Sequence, residues 1–457
     1  MAELDQIFKA YDVRGIVPDQ LDAPLAELIG QAFARFAVEA SAPSSVTRVV
    51  VARDMRPSGV DLAMAFAEGV QRQGLEVVDL GLSSTDLLYF ASGKLDSPGV
   101  VFTASHNPAQ YNGIKMCLAG AKPVGQDTGL GAIRAMVEHG VPPATVPPGR
   151  IESMDLIEDF AQHVRSFVDP ANLHPLRIVA DTANGMGGLV VPKVFETLPF
   201  DLEILFPELD GTFPNHPADP IQPENLRDLQ ARVKAVGADV GLAFDGDADR
   251  VFLVDDMAEP LSGSTTTAIV AAGILEKEPG ATILYNLICS KAVPEVVLER
   301  GGKPIRTRVG HSFIKQVMAE TGAAFGGEHS AHYYFRDNYR ADSGSIAALV
   351  VLEQLCKAGV PLSELRKPFD RYADSGEINS RVDDPPAVIE RVAAHYSGVP
   401  DASLDRLDGL TVDLGDWWFN LRPSNTEPLL RLNLESPSRT ETEEHVAALR
   451  SLITQEN

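Results

Sequence analysis

Three times along the chain an apolar, β-branched run leads into a polar turn and then a stretch with helical spacing, and this recurrence limits the architecture most. The runs are Thr47–Asp54 (TRVVVARD), Arg177–Asp181 (RIVAD, then TANGMGG) and Ala281–Asn286 (ATILYN, then LICSKAVPEVVLERGG). Continuous rather than alternating apolar residues mark strands buried on both faces, and a following helix supplies the crossover between parallel neighbours. The spacing predicts three α/β units of about 100 residues each. Between the runs, Pro24–Ala40 places Leu25, Leu28, Ile29, Phe33 and Phe36 on one helical face, with Pro24 suited to a first turn. The proline-rich stretch Val141–Arg150 (VPPATVPPGR) predicts an extended connector. The last 80 or so residues, about a sixth of the chain, carry shorter alternating runs (LTVDLGDWWFNLRPS, LLRLNLES) and read as a smaller α+β unit.

Charge narrows the partners. Lys and Arg total 39 against 64 Asp and Glu, a formal net charge of −25. So acidic a surface disfavours nucleic acid and anionic membrane as partners. An anionic ligand would need cations concentrated locally, against the global field. The three cysteines (Cys117, Cys289, Cys356) lie far apart with no Cys-x-x-Cys pair, which suits a reducing compartment. The opening MAELDQIFKAYDVRG lacks a signal-peptide pattern, and no stretch approaches 18 uninterrupted apolar residues. The expected location is cytoplasmic, and a monomer or homodimer is expected.

Four segments carry chemistry. Thr103–Pro108 (TASHNP) follows the apolar run GVVF, so Ser105 would sit at a strand's C-terminal end, where ligands of parallel α/β sheets bind. On spacing alone an ordinary turn rich in Ser, Asn and Pro explains the segment equally well. A serine hydrolase is disfavoured, since Gly-x-Ser-x-Gly is absent. Asp245–Arg250 (DGDADR) follows VGLAF; extended, it would converge the carboxylates of Asp245, Asp247 and Asp249. Three like charges so close call for a cation, and an oxygen-only set suits Mg²⁺, with Arg250 beside it to reach a bound anion. An EF-hand loop would need Gly and Glu where Arg250 and Asp256 stand. An aspartyl-phosphate phosphatase lacks its small residue at position 249.

In Gly327–Phe335 (GEHSAHYYF), Glu328, Ser330 and His332 alternate, so an extended segment would present all three on one face toward vicinal hydroxyls. A polar turn before a core strand is the plainer alternative. In Arg422–Pro428 (RPSNTEP) one Arg, two hydroxyls, an amide and several backbone N–H groups make a phosphate clamp, or else a capped loop.

TASHNP, DGDADR, GEHSAH and RPSNTEP, in that order, resemble the α-D-phosphohexomutase superfamily, closest to its phosphomannomutase/phosphoglucomutase branch. YDVRG (Tyr11–Gly15), YNGIK (Tyr111–Lys115) and GHSFIK (Gly310–Lys315) match as well, so the likeness spans nearly the whole chain. The resemblance implies three related α/β domains with mixed sheets and a smaller α+β fourth, around a central cleft. The expected spans are 1–148, 149–256, 257–370 and 371–457.

It further implies that Ser105 carries the transferred phosphoryl group and joins Asp245, Asp247 and Asp249 in holding Mg²⁺. Lys115 and His332 correspond to proton-transfer residues, while Arg14 and His106 lie around the transferring phosphate. Glu328 and Ser330 correspond to readers of sugar hydroxyls, with Tyr11 and His311 as further substrate contacts and Arg250 supporting the reactive centre. Arg422, Ser424, Asn425 and Thr426 match the clamp for the non-reacting phosphate. The implied reaction interconverts hexose 6-phosphate and hexose 1-phosphate, of mannose or glucose, through a hexose 1,6-bisphosphate that also serves as activator. Phosphoglucosamine mutase is the near alternative, against which Asn425 stands. A Mg²⁺-dependent sugar-phosphate phosphohydrolase and a non-catalytic sugar-phosphate binder are the distant ones. Two positions depart from the family pattern. Ala331 replaces a glycine, with less backbone room expected beside the sugar, and Ile288 replaces a lysine for which Arg308 is the expected substitute.

Overall fold

The computed structural model describes residues 4–423 and 429–454. Its first three sheets repeat one hydrogen-bonding plan. In the first, Arg48–Arg53 lies between parallel neighbours Glu76–Leu82 and Gly99–Phe102, and Tyr111–Leu118 adds antiparallel to the latter. In the second, Arg177–Asp181 lies between parallel Asp201–Leu205 and Val240–Phe244, and Val251–Asp255 adds antiparallel. In the third, Thr282–Asn286 lies between parallel Lys303–Thr307 and Phe325–Gly327, and Tyr333–Phe335 adds antiparallel. The three apolar runs are thus the central strands, with Val49, Val50, Ile178, Val179, Ile283 and Leu284 fully buried between helical layers. The first sheet also gains Val13–Ile16 and Ile151–Ser153, the latter from beyond the proline-rich connector.

The helix expected at Pro24–Ala40 spans Ala23–Ala40, with the Asp22 side chain accepting from the Leu25 N–H. Of the expected face, Ile29 and Phe33 are fully buried and Leu25 and Phe36 partly so, but Leu28 is not part of it. Leu28 is 39% exposed, and Ala26, Ala32, Ala34 and Ala37 take the buried positions. The cause is the close approach of Gly59–Arg72: a Cβ on Gly30 would fall 2.2 Å from the Phe66 carbonyl oxygen. Large side chains have no room where the two backbones nearly touch.

The fourth sheet is antiparallel, ordered Ala373–Asp374, Leu429–Ser436, Trp418–Pro423, Leu410–Asp413 and Ser403–Asp405. Its core, with Val392, Phe419, Leu432 and Leu449, is its own, whereas one apolar cluster runs continuously from residue 50 to residue 369 through the other three units. The fourth unit meets the third across polar groups. Lys291 Nζ lies 2.7 Å from Asp413 Oδ1, the Lys291 N–H donates to Glu435, the Val309 N–H donates to Asp408, and Arg306 pairs with Asp405. Among the described residues no helix is long and apolar enough to cross a membrane.

One partly buried pair ties down the second unit's irregular segment. His216 Nε2 lies 3.0 Å from Asp181 Oδ2 at the end of the central strand. Burial works against the charge on His216, but the hydrogen bond and charge of Asp181 outweigh it and raise its pKa above 6.5. Stability from this pair is full below the unfolded value and lost as pH rises through the higher folded value. His216→Gln is therefore expected to lower Tm more at about pH 5.5 than at about pH 9. A Tm gap independent of pH would count against this reading.

Candidate active site

Each of the first three units places its chemically loaded motif in the same turn, between its last parallel strand and its antiparallel edge. TASHNP follows Gly99–Phe102, DGDADR joins Val240–Phe244 to Val251–Asp255, and Glu328–His332 joins Phe325–Gly327 to Tyr333–Phe335. Each turn contains one non-glycine residue in the left-handed region: Ser105 (φ 48°), Ala248 (φ 61°) and Ala331 (φ 64°). Such a conformation costs about 1–2 kcal/mol outside glycine. Ala331 stands where glycine would be unstrained, and it is fully buried.

The first two turns meet face to face. Ser105 Oγ donates to Asp245 Oδ2 at 2.8 Å, although 140 residues separate them, and Arg250 reaches both Ser105 Oγ (3.3 Å) and Asp245 Oδ2 (2.9 Å). Asp245, Asp247 and Asp249 are buried and present ligand atoms within 4.8 Å of one another. Lys115 Nζ donates to Asp247 Oδ2 at 2.7 Å and to Asp249 Oδ2 at 2.8 Å. Register places it there, since Lys115 pairs with Val101 on the strand leading into TASHNP. Thr85, which sequence reasoning missed, donates its hydroxyl to Asp247 at 2.6 Å.

Three buried carboxylates here face two cations. Burial pushes the Asp245 carboxyl up to about 7 despite Arg250. Asp247 moves the other way: burial would raise it, but the Lys115 ammonium holds it far below the usual range. Oδ1 of Asp247 and Oδ1 of Asp249 are buried without a hydrogen-bond partner. Hard oxygen donors with spare lone pairs fit a divalent cation such as Mg²⁺. His106, 3.2 Å from Ser105 Oγ and 2.6 Å from Arg250, is held neutral, its pKa lowered to about 2 by burial and by Arg250 and Arg14. Arg14, on Val13–Ile16, pairs with Asp12 and Asn107 at the rim of the serine turn.

The third turn is folded, not extended. The Glu328 N–H donates to the His332 carbonyl and the Ala331 N–H to the Glu328 carbonyl, so the expected single face for Glu328, Ser330 and His332 does not form. The left-handed Ala331 reverses the chain between them. Glu328 is buried, accepting from Tyr334, Asn286 and the Gly310 N–H. Ser330 sits half-buried at the turn's tip. His332 turns toward the acidic loop, with Nδ1 2.8 Å from Asp342, whose other oxygen lies 3.0 Å from the buried Lys315 ammonium. Burial opposes charge on His332, yet Asp342 and Asp249 raise its pKa. Neither Asp342 nor Lys315 was singled out by the sequence pattern; Lys315 stood in GHSFIK without a role.

A cleft of about 820 Å³ is joined to the third turn through Lys315, which pairs with Asp342, and Gly310, whose N–H donates to Glu328. Lys122, Arg308, Lys315, Arg340, Arg422 and Arg431 line it, with Tyr11, Asp127 and Asp408. This is the local positive field that a net charge of −25 made necessary for an anionic ligand. Tyr11 is half-buried against the backbone of Gly310, where an added Cβ would lie 2.4 Å from the phenol oxygen. Arg308 lines the cleft and stacks over Phe313 at 4.4 Å, whereas Ile288 is buried and does not line it. Arg422 pairs with Glu377 at 2.9 Å. Ser424, Asn425 and Thr426 lie outside the described residues, as does the side chain of His311.

Family models match the chain in four successive pieces: the phosphoglucomutase/phosphomannomutase alpha/beta/alpha domains I (5–140), II (156–258) and III (262–372), and the C-terminal domain of the same family (377–452). The chain belongs to the phosphoglucomutase/phosphomannomutase family. Among curated members it is 41% identical over 432 residues to "Phosphohexose mutases" of Xanthomonas campestris pv. campestris, covering 94% of each chain. It is 39% identical over 438 residues to a phosphomannomutase of Escherichia coli, again covering 94% of each. A crystal structure of a phosphoglucomutase/phosphomannomutase family protein from Burkholderia thailandensis superposes with a TM-score of 0.88 at 32% identity, covering 100% of this chain and 99% of that one. The family fold of three α/β domains with mixed sheets and a smaller fourth accounts for the four sheets above.

Proposed function

We propose that this family member is a phosphomannomutase, with phosphoglucomutase activity as a second capacity, interconverting hexose 6-phosphate and hexose 1-phosphate by way of phosphorylated Ser105. The observation that carries it is the contact of Ser105 Oγ with the buried Asp245–Asp247–Asp249 cluster, a phosphoryl-accepting hydroxyl set against a divalent-cation site. The names of its relatives favour this reading over phosphoglucosamine mutase and over a phosphohydrolase.

Asp245, Asp247 and Asp249, with an oxygen of phospho-Ser105, would hold Mg²⁺, which neutralises charge on the transferring phosphoryl group. The remaining work falls to side chains. A sugar hydroxyl forms a bond to phosphorus as the bond to Ser105 Oγ breaks, and Lys115 and Arg250 compensate the charge left on Oγ. His332 accepts the hydroxyl proton on Nε2, because Nδ1 is committed to Asp342. The resulting hexose 1,6-bisphosphate turns end for end and returns its other phosphate to Ser105, reversing each transfer. Glu328 and Ser330, with Tyr11 and His311, orient the sugar hydroxyls, while Arg422, Ser424, Asn425 and Thr426 hold the phosphate that does not react. Arg14 and His106 border the transferring group.

Turnover of the 1-phosphates of mannose, glucose and glucosamine, with and without glucose 1,6-bisphosphate, tests the assignment. The expected result is fastest conversion of mannose 1-phosphate, stimulated by the bisphosphate. Release of inorganic phosphate at the rate of substrate loss would replace the mutase with a phosphohydrolase.

A further inference from the structure

We propose that Arg56 is a positioning residue for the phosphoryl transfer, one whose guanidinium fork sets the backbone angle of Ser105 without touching substrate. The inference rests on the reading of Ser105 as phosphoryl carrier.

Arg56 is fully buried and lies outside the cleft. An arginine has five N–H donors in a rigid fork, and a buried guanidinium is costly unless they are used. Four of its contacts go to one short segment. Nη1 donates to the carbonyls of Pro108 and Tyr111, both at 2.9 Å, and Nη2 to those of Asn107 (2.7 Å) and Ser105 itself (2.9 Å). Nε donates to Asp54 at 3.2 Å, and Asp54 accepts from the Arg56 N–H, which closes the fork onto its own strand end.

On the other side of the same residue, the Ser105 N–H donates to Thr103 Oγ1 at 2.9 Å. The peptide groups before and after Ser105 are therefore both held, and between them the residue keeps its left-handed φ of 48°. That angle aims Oγ at Asp245. Freed of either restraint, a non-glycine residue relaxes toward negative φ and carries Oγ away from the carboxylate cluster. The second domain seals the arrangement. Phe213 lies 5.1 Å from the guanidinium, and a Cβ on Gly211 would fall 2.6 Å from Arg56 Cα. Lysine would keep the charge but cannot reach four carbonyls at once. Geometry rather than charge is thus the function of this residue.

The test compares full-length Arg56→Lys and Arg56→Met with the parent for kcat, KM of hexose phosphate and Tm. For folded variants kcat is expected to fall about a hundredfold, the scale of an ångström's misplacement, with KM within about threefold of the parent. Recovery of parental kcat in Arg56→Lys would overturn the inference, as would a rise in KM with kcat intact. Should Arg56→Met not fold, Thr103→Val takes its place. It is expected to lower kcat about tenfold and to be non-additive with Arg56→Lys, since both act on one angle; additive losses would overturn the inference. Ser105→Ala run in parallel separates the two readings. A fully active Ser105→Ala removes the carrier role, whereas an inert Ser105→Ala beside a normal Arg56→Lys removes only the role of Arg56.

Discussion

Ser105→Ala is expected to lower kcat by at least about a thousandfold while shifting Tm only slightly. The hydroxyl is the only group removed; of its three described partners, Asp245 and Arg250 remain paired with each other at 2.9 Å, and His106 with Arg250 at 2.6 Å. Alanine also tolerates a left-handed angle about as well as serine does, so the turn persists. What disappears is the atom that accepts and gives the phosphoryl group, and with it the path that splits one isomerisation into two transfers. Intact-protein mass after incubation with hexose 1,6-bisphosphate should show a gain of one phosphate in the parent and none in the variant. Equal rates for the two proteins would end the proposed mechanism.

Lys115→Met should do two separable things. The ammonium lies between Asp247 and Asp249, whose side chains are at most 2% exposed, and removing it leaves two carboxylates buried with no cation between them. Breaking a buried pair in this way costs about 3–5 kcal/mol. Tm without divalent metal should therefore drop. Added Mg²⁺ should raise the Tm of the variant more than that of the parent, since the ammonium no longer competes for the same oxygens. kcat should fall about a hundredfold or more and stay low at any Mg²⁺ concentration. A variant with parental Tm in chelator, or with the parent's response to Mg²⁺, would contradict the electrostatic account of this site.

Much of this was legible from residue order. The apolar runs marked the three central strands because strands covered on both faces leave no place for polar side chains. DGDADR announced itself because three carboxylates in five residues are costly without a cation. Other parts could not be read from the chain. That TASHNP, DGDADR and GEHSAH occupy one and the same turn of a repeated sheet resides in hydrogen-bond register, and their residue order shows no common pattern. Arg422 and Arg308 stood out in the sequence, but the cleft's other cations, Lys122, Arg340 and Arg431, are ordinary isolated charges until the fold gathers them. The alternation reading of Glu328, Ser330 and His332 failed at a single backbone angle, that of Ala331. Arg56 stayed invisible for a related reason, since four of its partners are carbonyls, which every residue has.

The seam between the third and fourth domains has a consequence for turnover. Half-exposed ion pairs such as Lys291–Asp413 and Arg306–Asp405 contribute about 0–1 kcal/mol each, because water replaces them nearly at par. Parting the seam breaks no apolar core, as the fourth domain keeps its own. A bias of about 2–3 kcal/mol toward the shut form leaves on the order of one molecule in a hundred open at any instant. On the proposed mechanism, a bisphosphate that must reverse its ends would meet a door already ajar, and each cycle would become a race between rotation and escape.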